Sequence, residues 1–166
     1  MSAGVKVRRV PNPEVEKHIA ELQRMTKAEA RVGWFEGDGY PDGTPVAYVA
    51  SIHEFGAPAQ GIPPRPFMRT TIDEKRASWA NIARNSAVGI LKGSSTVGEA
   101  VELLGLKVAG DIRKTISKIQ SPPLKQKTID ARKNRASGKI HATTIAKPLV
   151  DTRHMVDTLQ NVTVSK

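Results

Sequence analysis

His53 and Glu54 stand side by side on a stretch with helical spacing, and a histidine followed by glutamate is how one class of zinc hydrolase opens its metal site. Such a site needs a second histidine one helical turn later, so that both imidazoles reach one ion. Position 57 is alanine, and His18, His141 and His154 have no ligand-like spacing. The chain has no cysteine, which removes thiolate ligands, cysteine nucleophiles and disulfides together. Gly37, Gly39 and Gly43 resemble a phosphate loop only superficially. No Gly-Lys-Ser or Gly-Lys-Thr follows, and Asp38 and Asp42 would repel a phosphate. A calcium loop would want more oxygen ligands in alternation, closed by a glutamate. No serine sits in a nucleophile elbow, although a Ser–His–Asp triad is assembled in space and not along the chain. No catalytic residue, cofactor site or metal site is therefore expected, and the chain is not expected to be an enzyme.

Charge offers a different chemistry. The 166 residues carry a net charge of +10, with a pI of about 10.1. The excess is uneven: residues 31–74 hold six acidic and three basic side chains, whereas residues 121–166 hold nine basic and three acidic ones. Lys125, Lys127, Arg132, Lys133, Arg135 and Lys139 form a basic run without an aromatic residue. Stacking platforms for single strands need aromatics, so base reading is not expected. Contact with backbone phosphates needs only cations, and these six residues are its candidates. The same asymmetry suits head-to-tail association, in which the acidic 31–74 region meets the basic C-terminal half of a neighbour.

The elements that would carry these groups follow from periodicity. Asn12-Pro13 reads as a cap with proline at the first helical position, and Val15, Ile19, Leu22 and Met25 mark one face of a helix over 13–29. Residues 31–35 read as a strand. Thr44-Pro45 predicts a helix start, and Gly56 predicts its stop through a left-handed C-cap. Four prolines between Ala57 and Pro66 exclude helix there, and Phe55 and Phe67 on either side are expected to pin the loop to the core. A long helix over 67–91 follows. Thr96-Val97-Gly98-Glu99 is a capping box opening a helix to about Ile119, with Val97, Val101, Leu104, Val108, Ile112 and Ile116 on its apolar face. Residues 120–148 read as a basic, irregular loop with one short helix near 128–133. Asp151 or Thr152 predicts a cap for a last short helix, and Val162-Thr163-Val164 alternates like a strand able to pair with 32–35. The expected fold is α+β: a small antiparallel sheet with strands near 31–35 and 159–165, packed with about three longer helices. One domain over 1–166 is expected, with an N-terminal arm at 1–11. No apolar run approaches the roughly 20 residues needed to span a bilayer, and no signal peptide is apparent, so a soluble protein made in a cytoplasm is expected.

Three motifs in order carry a resemblance. Tyr48 to Glu54-Phe55-Gly56, then Arg65-Pro66-Phe67-Met68-Arg69, then Pro148-Leu149-Val150-Asp151-Thr152 match in order and approximate spacing the tail-completion, or neck (head–tail joining), proteins of long-tailed double-stranded-DNA bacteriophages. The chain resembles that family over most of its length. Each motif alone is short, and their order makes the likeness. The resemblance implies an α+β virion protein without catalysis, forming a ring, often sixfold, between head connector and tail tube. It implies as partners further copies of the chain, neighbouring neck and tail proteins and non-specifically held genomic DNA, with no membrane. Assembly would occur in the host cytoplasm and the final location would be the virion. On this reading His53, Glu54, Phe55, Gly56, Arg65, Phe67, Asp151 and Arg153 are the candidate subunit and partner contacts. The chain departs from the family pattern at Arg153, where a glycine usually follows Asp-Thr. A tail terminator, or a basic DNA-binding assembly accessory, remains the alternative. Salt-dependent DNA binding without ring formation would favour the accessory.

Overall fold

A computed structural model describes residues 12–135, 146–151 and 153–165. The architecture is α+β, with six helices and one two-stranded antiparallel sheet among the described residues. The arm expected at 1–11, together with Lys139, His141 and Thr152, lies outside the described residues.

The first helix, α1 (Pro13–Lys27), opens as its capping signature predicts: the Asn12 side chain accepts from the Glu14 amide at 3.0 Å. It ends two residues early, because Ala28 is already extended and begins β1 (Ala28–Gly33) without a loop. β1 pairs with β2 (Gln160–Ser165) from Ala28 opposite Ser165 to Gly33 opposite Gln160. The expected pairing is therefore present, but the first strand is shifted by about three residues. Trp34 lies past its end, where the indole donates to the Met155 carbonyl at 2.9 Å and meets the Phe67 ring edge-on at 5.8 Å.

α2 (Val46–Phe55) begins without the cap that Thr44 was expected to supply. Pro45 is the cap residue and has no such side chain; the Val46 amide instead donates to the Asp38 carbonyl at 3.0 Å. A 3-10 turn at Pro58–Gln60 interrupts the proline-rich loop before α3 (Met68–Leu91). α4 (Val97–Lys118) carries the full capping box, with Thr96 and Glu99 each accepting from the other's backbone amide. α3 and α4 pack on each other as a hairpin, and α4 crosses both strands. Gly105 permits that approach: a Cβ there would sit 3.1 Å from the Asn161 amide nitrogen and 3.3 Å from the Ala30 Cβ. α5 (Gln126–Arg135) falls in the basic segment, and the one-turn α6 (His154–Asp157) precedes β2.

The core joins Val46 and Ala50 of α2, Phe67, the inner face of α4 (Ala109, Ile112, Ile116) and the C-terminal group Leu149, Val150, Met155, Val156 and Leu159. Burial of this aliphatic set supplies the main driving force for folding. Phe55 does not belong to it. It is 66% exposed, so of the two aromatics flanking the loop Phe67 is the one that reaches the core. α1 buries none of its residues.

Candidate functional site

The first two resembling motifs meet at one point. Glu54, in the last turn of α2, is 4% exposed. Its carboxylate accepts from the amides of Phe67 (2.7 Å), Met68 (2.9 Å) and Arg69 (3.1 Å) and from Arg69 Nε (2.9 Å). The amides that open α3 have no partners within their own helix, and a carboxylate from a distant turn satisfies them while meeting the positive end of the helix dipole. Burial pushes the Glu54 carboxyl up, but the hydrogen bonds from Met68, Arg69 and Phe67 outweigh it and hold the group below its ordinary value. Arg69 also donates to the Glu54 carbonyl at 2.8 Å and lies 5.0 Å over the Phe55 ring.

Gly56 closes α2 at φ 77°, ψ 172°. The positive φ agrees with expectation, but the extended ψ differs from a left-handed cap and falls in a region kept almost wholly to glycine. A Cβ there would lie 2.8 Å from the Pro64 nitrogen and 2.9 Å from the Ile62 carbonyl oxygen, so the loop passes against bare backbone. Arg65, 3% exposed, donates to the carbonyls of Pro122 (2.8 Å) and Pro123 (3.0 Å) and ties the loop to the segment after α4.

Glu54, Arg65 and Phe67, expected among partner contacts, are thus engaged inside their own chain. The resemblance made them candidates; in the fold Glu54 and Arg65 satisfy backbone amides and carbonyls, and Phe67 packs in the core. His53, Asp151 and Arg153 come together elsewhere. With Arg132, Tyr40, Asp42, Thr44 and His154 they line a cleft of about 290 Å³. Burial, then the charges of Arg65 and Arg132, lowers His53 to about 4, so its imidazole is neutral near pH 7. His53 Nδ1 is buried and finds no hydrogen-bond partner among the described residues. Burial, then Asp151 and Asp42, raises Tyr40, which opposes its use as a phenolate. Among the described residues no three histidine or carboxylate side chains converge to hold a metal ion.

Arg153 resolves the departure from the glycine pattern: it takes φ 61°, ψ −3°, the left-handed conformation that glycine adopts most readily. A side chain in that conformation carries a cost that glycine would not.

The phosphate candidates divide. Lys125, Lys127 and Lys133 are exposed, and Lys133 lies 3.9 Å from Asp130. Arg132 is buried, donating to the Lys147 carbonyl at 2.7 Å and lying 3.4 Å from Asp151, so it serves the fold. Arg135 closes α5, and Lys139 lies outside the described residues.

Two features escape a motif search. Lys107, Lys114 and Lys118 share one face of α4 and, with Lys75 of α3, line a groove of about 480 Å³. Their spacing of seven and four residues was readable as one face. At the base of that groove Asp111 accepts from Lys107 at 2.6 Å and from the Trp79 indole at 2.9 Å. The second feature is α1, whose apolar stripe reads in sequence as a core face yet is open to solvent: Val15 is 50%, Ile19 42% and Leu22 47% exposed. No helix among the described residues is long and apolar enough to cross a membrane. Comparison with protein-family models, with curated proteins and with solved structures found no match for this chain.

Proposed function

We propose that this chain is a non-catalytic structural subunit of the neck of a long-tailed bacteriophage, assembling with copies of itself into a ring that joins or completes the tail and ending in the virion. One observation carries the reading: large apolar side chains stand exposed on α1, α2, α3 and α4, among them Ile19, Tyr48, Phe55, Ile72, Leu103 and Leu106. Apolar surface of that extent suits a chain that is covered by neighbours in an assembly. The order of the three motifs supplies the family, and the engagement of Glu54, Arg65 and Phe67 within the chain suits motifs that maintain a shape.

The test is native mass across concentration and salt, with and without double-stranded DNA, followed by a search for the chain in purified particles. A discrete ring and incorporation into particles support the reading. A chain that stays monomeric at all concentrations and is absent from particles refutes it. The second reading, a basic DNA-binding assembly accessory, draws on the α4 lysine face. It requires DNA binding that collapses as salt rises, because released counterions set that slope, without any ring. A tail terminator would occupy a similar place and is the remaining alternative within the ring reading.

A further inference from the structure

We propose that α1 is the element that links copies of this chain, its apolar stripe seating on the outer face of α4 in the next copy. The inference rests on the ring reading above and names the contact that reading requires.

The starting observation is a mismatch on α1. Its contact with its own chain runs along His18, whose Nε2 lies 3.0 Å from the Leu91 carbonyl oxygen, and Met25, which lines a small apolar groove with Ile90 and Leu104. At about 100° per residue, His18 and Met25 point some 60–80° away from the line through Val15, Ile19 and Leu22. The helix therefore lies on the body by one side and presents its apolar side to solvent. An isolated helix of this length is marginal in water, and burial of its apolar face is what normally holds it.

The outer face of α4 offers what that stripe lacks. Leu103 and Leu106 are each more than half exposed. Gly110, one turn further, is also exposed, and a Cβ built on it meets nothing within 4 Å. Two leucines and a bare backbone position make a surface on which another helix can come close.

Charge argues for a second copy as the occupant. Glu16 and Lys27 bracket the α1 stripe, eleven positions and ~16 Å apart at 1.5 Å per residue. Glu102 and Lys114 bracket the α4 surface, twelve positions and ~18 Å apart. Both run from acidic to basic. An antiparallel approach then brings the acidic end of each helix to the basic end of the other, with the helix dipoles opposed; a parallel approach brings like ends together. Because the two surfaces belong to different elements, the contact is heterologous and propagates head to tail, which is what a ring requires.

The absence of cysteine gives a direct test. Leu22→Cys and Leu106→Cys are introduced into separate full-length chains, which are mixed and oxidised. A disulfide needs the two Cα atoms within about 7 Å. The proposal expects a covalent dimer in the mixture, none from either variant alone, and a ladder of oligomers from a chain carrying both substitutions. Leu22→Asp is expected to reduce self-association at least tenfold while leaving the thermal transition of the dilute monomer in place. Covalent dimers from Leu22→Cys alone would overturn the proposal in favour of an α1–α1 contact. A native ring with no cross-link in the mixture would overturn it and leave the ring reading standing. No oligomer at any concentration would overturn the proposal, and with the chain also absent from purified particles it would overturn the ring reading as well.

Discussion

The Glu54 junction and α1 are opposite solutions to placing a helix. At the junction one buried carboxylate satisfies three amides and a guanidinium, and a loop lies against a glycine too close for any Cβ. In α1 the local signals are all present: the cap, proline at the start, acidic residues in the first turn and basic ones in the last. Yet no residue of α1 is buried. Local signals suffice to form a helix, but they do not say what it rests on. The junction belongs to the folding of the single chain, and α1 retains surface for something else.

That contrast breaks most readily at Glu54. Glu54→Ala leaves the amides of Phe67, Met68 and Arg69 without their acceptor in a buried site, and a loss of about 3–5 kcal/mol is expected in denaturant unfolding. A loss below about 1 kcal/mol would mean that water replaces the carboxylate and that the junction is not a clasp. Gly56→Val comes next, at about 2 kcal/mol or more, from a forbidden backbone angle and collision with Pro64 and Ile62. An unchanged melting temperature would contradict the conformation at that residue.

Acid sharpens the comparison without mutation. His53 is lowered to about 4 from 6.5, so the unfolded chain takes up its proton first. Its contribution is whole above about pH 6.5 and is lost as pH falls towards 4. Glu54 is likewise depressed, so its contribution is whole above the ordinary glutamate value of 4.5 and lost as pH falls through the folded value. Stability measured against pH should therefore fall in two steps, and His53→Gln should flatten the upper one only. Arg153→Gly, which relieves a left-handed side-chain residue, should raise stability by about 1 kcal/mol. The smallest effect belongs to α1: Leu22→Ser should change the stability of the dilute monomer by no more than about 0.5 kcal/mol, since the side chain is nearly half exposed. A loss of 2 kcal/mol would show that α1 is held by its own chain after all, and the contrast would fail.

Much of the fold was legible because it rests on short-range chemistry. Asn12-Pro13, the Thr96–Glu99 box and the spacing from Val97 to Ile116 act within a few residues, and each appears as expected. The α+β class and the pairing of the terminal strand with the strand after α1 followed from alternation. The first strand's register did not, because β-branched and aromatic residues at 32–35 suit a strand equally well. Trp34 leaves the ladder to reach Met155, which is 121 positions away.

The candidate site was legible in its residues and misread in their direction. Glu54, Arg65 and Phe67 stand out in sequence through the motifs that carry the resemblance, but whether such groups face a partner or their own chain depends on where distant amides and carbonyls come to lie. Arg153 shows the same division: nothing local in the sequence marks a left-handed residue there, and only the backbone angle does. By itself the amino-acid order determined that α1 and α4 open at their capping residues, that the chain has no thiol, and that positive charge gathers towards the C-terminus. Tertiary structure alone decided that a glutamate caps a helix more than twelve residues away, that Phe55 stays outside the core, and that the apolar side of α1 faces water. Capping and periodicity are local free energies written into neighbouring residues, whereas burial depends on which surfaces meet once the whole chain has packed.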